Sequence, residues 1–113
     1  MAKILKFELL SKDEVCTRVE YNPNTKEIKC EQLSPVFYKT VFGKRPHTVD
    51  NLLDFFKERV WEETRYDLDE ILESLGLREY DPLSICRITH GKCWEDDMWI
   101  RFEGESLQWG DVK

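Results

Sequence analysis

Cys86, His90 and Cys93 are the residues whose types and spacing first suggest chemistry. They form the pattern C-x3-H-x2-C, and thiolate and imidazole are the ligands that zinc prefers in proteins. A structural zinc site needs four protein ligands, however, and the remaining cysteines and His47 lie in the other half of the chain without paired spacing. We therefore predict no metal site and interpret Cys86 as a core residue, with zinc binding as the alternative.

Nucleophilic or cofactor chemistry has less support in the sequence. A Cys/His catalytic pair requires a positioned base and an orienting third group, and no residue is an evident candidate for either. The sequence contains no P-loop, no G-x-G-x-x-G, G-x-S-x-G or H-E-x-x-H motif and no kinase catalytic signature. The acidic clusters at residues 67–70 and 95–97 lack the EF-hand spacing. We expect a protein that is not an enzyme and binds no cofactor.

The aromatic residues near the C-terminus suggest a binding surface instead. Three of the four tryptophans lie in the last twenty residues, and Trp99 has the opposite phase to the apolar positions of its predicted strand. A tryptophan beside an arginine, here Arg101, is typical of a protein-binding hot spot. We predict Trp99, Arg101 and Trp109 as partner-binding residues. The alternative for Trp99 is a strand that is buried on both faces.

The elements that position these residues lie mainly between Thr48 and Phe102. The first helix begins at Thr48, with Leu52, Leu53, Phe56 and Val60 as its buried stripe. The second runs over residues 68–75, with Asp67 and Glu70 as a capping box and Gly76 as its end. The third has Asp81 as its cap and Pro82 at its first position, and it ends at Gly91. A strand follows over residues 98–102, and residues 106–109 are predicted to pair back as a short edge strand.

The N-terminal part is predicted to be a three-stranded antiparallel meander. Its strands cover residues 3–10, 14–21 and 27–32, with turn-forming residues between them. Residues 33–47 are predicted to be irregular, with a possible strand over residues 36–42. We therefore predict an α+β fold: an N-terminal antiparallel β-meander, three short helices and a C-terminal β-strand or hairpin.

Length and charge indicate a single domain, residues 1–113, with two unlike halves. Residues 1–47 are β-rich and carry nine Lys/Arg against six Asp/Glu, whereas residues 48–113 carry eight against seventeen. An acidic half repels phosphate backbones and favours docking onto a basic protein surface. The partner-binding acids that we predict there are Glu62, Glu63, Asp69 and Glu73. The basic and aromatic residues at 37–45 are the one nucleic-acid-like feature, and three basic residues give only a small electrostatic attraction, so we expect no direct nucleic-acid binding.

Localisation follows from what the sequence lacks. No run approaches the roughly 18 apolar residues of a membrane span, and the first residues lack the apolar core of a signal peptide. We expect a cytoplasmic protein with no membrane contact. The four cysteines are then expected to be reduced thiols.

Five short motifs in the second half resemble the region that precedes the kinase domain in bacterial HipA-like proteins. They are LLDFFKER at 52–59, DEILESLGL at 69–77, THG at 89–91, DMWI at 97–100 and LQWGDV at 107–112. The resemblance covers about residues 50–112. It implies a detached accessory domain without kinase activity, since the catalytic motifs and the nucleotide-binding loop of that family have no counterpart here. A free-standing copy is expected to bind and regulate a separately encoded kinase, in the manner of toxin–antitoxin partners.

Two functions are therefore expected from the sequence. The first is a non-enzymatic regulatory domain that binds a HipA-like kinase or another partner encoded by the same mobile element. The alternative is a phage- or plasmid-encoded acidic inhibitor that mimics nucleic acid in the channel of a host defence nuclease, as anti-CRISPR proteins do. The sequence leaves the oligomeric state open.

Overall fold

Four antiparallel strands form the sheet in the computed structural model, which describes residues 3–34, 40–42, 44–93 and 96–112. The strands are β1 (Leu5–Ser11), β2 (Glu14–Asn22), β3 (Glu27–Gln32) and β4 (Met98–Phe102), in the spatial order β3-β2-β1-β4. The first three form the predicted meander, and β4 pairs antiparallel with β1. Together with the helices between β3 and β4, this confirms the α+β fold.

The helices are α1 (Val49–Glu58), α2 (Leu68–Ser74), α3 (Pro82–Thr89) and a single C-terminal turn, α4 (Trp109–Val112). Thr48 caps α1 as predicted, because its hydroxyl accepts the Asn51 amide at 3.2 Å. The prediction of a returning edge strand at residues 106–109 is wrong. Loop residues lead into α4 there, because other groups already bond the outer edge of β4, as described below.

The predictions for the two ends of α2 had different outcomes. Gly76 ends the helix as predicted, with φ +76° and a Schellman pair of bonds from Leu77 to Leu72 and from Gly76 to Glu73. The predicted capping box at the start is wrong, because Asp67 makes no capping bond. Its carboxylate instead accepts a hydrogen bond from Arg65.

The main core lies between one face of the sheet and helices α1 and α3. Its buried members are Phe7, Leu9, Val19, Val41, Phe42, Leu52, Phe55, Phe56, Cys86, Met98, Ile100 and Phe102. Leu53, predicted to be buried, is 46% exposed, whereas Phe55 is 3% exposed. The larger ring is buried because it stacks on Phe7, with centroids 6.1 Å apart. A second cluster joins α2 to α3 through Leu68, Leu72 and Ile85.

The segment between β3 and α1 is described only in part. Residues 36–39 of the possible strand, which include half of the basic and aromatic cluster, lie outside the described residues. Val41 and Phe42 are buried, and the Phe42 ring stacks on His47 with centroids 4.6 Å apart. Across the described ranges, no helix has the length and apolar character needed to cross a membrane.

Candidate interaction surfaces

Arg59 forms a buried clasp at the end of α1. Its guanidinium donates to both carboxylate oxygens of Asp96 at 2.9 and 3.0 Å, to the Gly91 carbonyl at 2.8 Å and to the Met98 carbonyl at 2.8 Å. The side chain is only 9% exposed. Burial acts to lower the pKa of Arg59, but the hydrogen bonds and charge of Asp96 outweigh it and raise the pKa. The clasp therefore ties α1 to the segment between α3 and β4.

Gly91 is the residue that lets this segment approach so closely. Its φ is +61°, and a Cβ there would lie 2.7 Å from Cδ1 of Ile100 and 3.4 Å from Cβ of Arg59. The preceding residue, His90, has φ 59° and ends α3 in the left-handed region. The THG motif is thus explained by packing, since only glycine fits beside Ile100 in this conformation.

Asp96 should make the stability of the protein depend on acid pH. Burial raises its pKa, but hydrogen bonds from Arg59 and from the Met98 amide outweigh this and lower it below the ordinary value. The contribution of the carboxylate is therefore complete above the unfolded pKa of about 4 and is lost as the pH falls through the lower folded pKa. We expect Asp96→Asn to flatten the fall in melting temperature between about pH 5 and pH 2. Scanning calorimetry across this range measures it.

Asp97→Asn is the matched control for this measurement. Asp97 is exposed and lies 3.9 Å from the Lys12 amine, so its removal should leave the acid-dependent slope close to that of the wild type. Parallel pH curves for Asp96→Asn and the wild type would contradict the assigned role of the clasp.

Cys86, His90 and Cys93 have separate partners. The Cys86 sulfur is fully buried 3.9 Å from the Phe56 carbonyl, and burial raises the pKa of its thiol to about 12. The Cys93 sulfur lies 3.9 Å from the Arg59 carbonyl. His90 Nε2 lies 2.9 Å from a Glu105 carboxylate oxygen. Within the ranges that the structure describes, no group of three Cys, His, Asp or Glu side chains is arranged to hold a metal ion.

Trp99 is not an exposed binding residue, so this prediction is wrong. Its relative exposure is 0%, and its indole Nε1 donates to the Lys12 carbonyl at 2.6 Å. Its cross-strand neighbour Leu10 is buried as well. The alternative, a strand buried on both faces at this point, is the observed arrangement. Trp99 fixes the β1–β2 turn against β4.

Arg101 and Trp109 are half-buried and hold the C-terminal segment in place. Arg101 donates to a Glu8 carboxylate oxygen from Nε at 3.0 Å and from Nη2 at 2.9 Å, and it bonds the Leu107 carbonyl at 3.1 Å. The Lys92 amine lies 5.5 Å from the centroid of the Trp109 ring. These contacts are internal, and they give both residues a structural role.

The four predicted acids are all exposed, as a partner-binding role requires. Glu62 and Glu63 lie in the α1–α2 connection, and Asp69 and Glu73 lie on α2. We call residues 62–73 the acidic segment. Sequence reasoning missed its most exposed apolar residue, Tyr66, which is 95% exposed. The available signal was a tyrosine among charged residues, outside both apolar helix patterns.

Two rows of alternating charge cross the sheet face opposite the main core. The first row follows directly opposed positions, Arg101, Glu8, Arg18 and Glu31, with Arg18 Nε 2.9 Å from Glu8 and Arg18 Nη1 3.3 Å from Glu31. The second row contains Glu103, Lys6, Glu20 and Lys29, with the Lys6 amine 4.0 Å from Glu103. We call these the charge rows. Each row is electrically neutral, and each sign in one row lies beside the opposite sign in the other.

These features define a small α+β domain with two distinctive charged surfaces, the acidic segment and the charge rows. No protein-family model matches the chain, and neither a curated protein nor a solved structure is significantly similar to it. The HipA-like resemblance of residues 50–112 therefore stays a prediction.

Proposed function

We propose that this chain is a non-enzymatic, cytoplasmic protein-binding domain that docks its acidic segment onto a basic surface of a partner protein. The observation that carries the proposal is the 95% exposure of Tyr66. A tyrosine ring gives a large apolar contact at low cost in conformational entropy, and tyrosine is enriched in hot spots. The four exposed acids of the same segment speed association with a basic surface and reject acidic ones.

The partner that we propose is a separately encoded HipA-like kinase, or another component of the same mobile element. The support is the resemblance of residues 50–112, which include the acidic segment, together with the absence of nucleotide-binding motifs from the sequence. In this arrangement the domain regulates the kinase by binding to it, as in toxin–antitoxin pairs.

A second function is favoured by the exposure of the acids alone. Glu62, Glu63, Asp69 and Glu73 all face solvent, as the carboxylates of a nucleic-acid mimic must. An inhibitor of a nuclease would use their charge without an apolar anchor. Its binding would weaken steeply with added salt and would not depend on Tyr66.

The test is capture of the tagged protein's partner from host lysate at low and high salt, followed by reconstitution with the purified partner. We expect a kinase-like protein at both salt concentrations, with Tyr66→Ala weakening its affinity at least about tenfold, as hot-spot truncations do. Calorimetric titration measures the affinity.

Tyr66→Phe and Leu53→Ala are the controls. The first keeps the ring, and the second truncates an exposed apolar residue on α1, so both should bind almost as well as the wild type. Recovery of a nuclease at low salt only, with no effect of Tyr66→Ala, would favour the inhibitor. Recovery of no stoichiometric protein would contradict the proposed function.

A further inference from the structure

The outer edge of β4 is closed to further strand pairing. Each of its three outward amides already has an acceptor. The Met98 amide donates to the Asp96 carboxylate at 3.0 Å, and the Phe102 amide donates to the Glu105 carboxylate at 2.7 Å. The Ile100 amide donates to the His90 carbonyl at 2.7 Å. The outward carbonyl of Met98 accepts from Arg59. Edge strands are usually protected in such ways, because unpaired backbone groups invite pairing with another chain.

The opposite edge of the sheet, formed by β3, has no such protection in the described residues. Within residues 3–34, 40–42, 44–93 and 96–112, β2 is the only strand that pairs with β3, and no backbone group outside β2 bonds to residues 28–31. In an antiparallel edge strand, every second residue points its N–H and C=O outward. The Leu33 amide bonds toward β2, to the Cys16 carbonyl, so the outward groups within residues 28–31 belong to Ile28 and Cys30, and both of these residues are partly exposed. The edge is therefore available to a further strand.

The charge rows identify the strand that fits this edge. At β3 the first row ends on Glu31 and the second ends on Lys29. We propose that β3 pairs antiparallel with β3 of a second copy of this chain, centred on Cys30, so that the two sheets become one. Lys29 of each copy then lies directly opposite Glu31 of the other. The proposal is independent of the proposed function, because it uses neither the acidic segment nor its partner.

The register follows from the sheet geometry. Residues that lie directly opposite each other in a sheet must have their side chains on the same face. The other possible registers of the two β3 strands therefore differ from this one only by shifts that keep opposed side chains on one face. One such shift places Lys29 opposite Lys29 and Glu27 opposite Glu31, and the shift in the other direction places Glu31 opposite Glu31. Like charges directly opposed are destabilising. The register centred on Cys30 avoids them and overlaps nearly the whole strand.

The same register continues both charge rows through the two-fold axis. The first row, which ends on Glu31 of one copy, meets Lys29 of the other copy and then follows that copy's second row, Glu20, Lys6 and Glu103. The signs alternate without interruption across the doubled sheet. An acidic or basic peptide strand would break this alternation at Lys29 or at Glu31, so a second copy fits the edge better.

Charge reversal tests both the dimer and its register. We expect wild-type protein to self-associate in sedimentation velocity, and Lys29→Glu or Glu31→Lys each to weaken the dimer at least about tenfold, because two opposed pairs become repulsive. An equimolar mixture of the two variants should associate again, since one copy then presents two acids and the other two bases. Lys3→Glu and Glu14→Lys make the same charge changes at exposed positions off this edge and should dimerise like the wild type.

Lys29 and Glu31 also face Glu20 and Arg18 within the chain, so the charge reversals change contacts inside one copy as well as between copies. Amide hydrogen exchange of the wild type supplies a second test that needs no substitution. Protection of alternate amides in residues 28–31 should rise with protein concentration, with no change in β4. Wild-type protein that stays monomeric up to about 1 mM, beyond which an interface is too weak to matter, would overturn the proposal. So would a mixture that stays monomeric, or exchange at β3 that is independent of concentration.

Discussion

Trp99→Ala is expected to lower the free energy of unfolding by about 4 kcal/mol, within the range for truncating a buried aromatic side chain. The indole is fully buried, and its removal leaves a cavity beside Leu10 and takes the hydrogen bond away from the Lys12 carbonyl. For a chain of this length, such a loss lowers the melting temperature by on the order of 15 °C. Urea denaturation followed by circular dichroism measures the free energy.

Trp109→Ala is the matched control for Trp99→Ala. Trp109 is half-buried in the C-terminal turn, and the Lys92 amine lies 5.5 Å from the centroid of its ring, so its truncation should cost about 1 kcal/mol. Trp99→Phe should keep the fold and, if the acidic segment is the binding surface, should leave partner affinity unchanged. An unfolding free energy for Trp99→Ala close to that of the wild type would contradict the assigned burial.

Local structure was predictable wherever one or two residues decide it. Thr48 caps α1, Pro82 occupies the first turn of α3 and Gly76 ends α2, because each acts through bonds or dihedral angles within a few residues. Sequence patterns were sufficient for β1 to β4, but they wrongly predicted a further strand at residues 106–109. Asp67 shows the limit of such reasoning, since Arg65, two residues earlier, binds the carboxylate that was expected to cap the helix.

Burial across the sheet was not predictable, because a pattern shows which residues share a face but not what covers that face. Trp99 lies on the same face of β4 as Arg101, which is partly exposed. The Trp99 indole nevertheless bonds a carbonyl in the β1–β2 turn, 87 residues away in sequence. Leu53 and Phe55 are a similar case. Either could face the sheet from a helix, and only the position of Phe7 selects the larger ring.

The candidate surfaces were predictable to different degrees. Solvent exposure of the four acids follows from their charge alone. The charge rows require the pairing register, which places Glu8 between Arg18 and Arg101 from strands that are far apart in sequence. Each strand read by itself shows only a mixture of signs. Tyr66 lies in a connection without periodicity, so its charged neighbours were the one sequence signal for its exposed ring.

Arg59→Ala is the second large effect that we expect, a loss of about 3 kcal/mol in unfolding free energy. Removing one partner of a buried ion pair typically costs 3–5 kcal/mol, because the other charge is left unpaired. We take the lower end, since the Asp96 side chain is 37% exposed and water will partly solvate it. The substitution also takes a donor from the carbonyls of Gly91 and Met98. Chemical denaturation at neutral pH measures the loss.

Arg65→Ala provides the comparison, because Arg65 pairs with Asp67 at the surface and its loss should leave the unfolding free energy close to that of the wild type. A double-mutant cycle then separates pairing from packing. Arg59→Ala combined with Asp96→Asn should cost clearly less than the sum of the two single losses, because no charge remains unpaired. Strictly additive losses would show that the guanidinium acts through its backbone bonds alone. In that case Gly91 and Met98, rather than Asp96, are the contacts that hold α1 against β4.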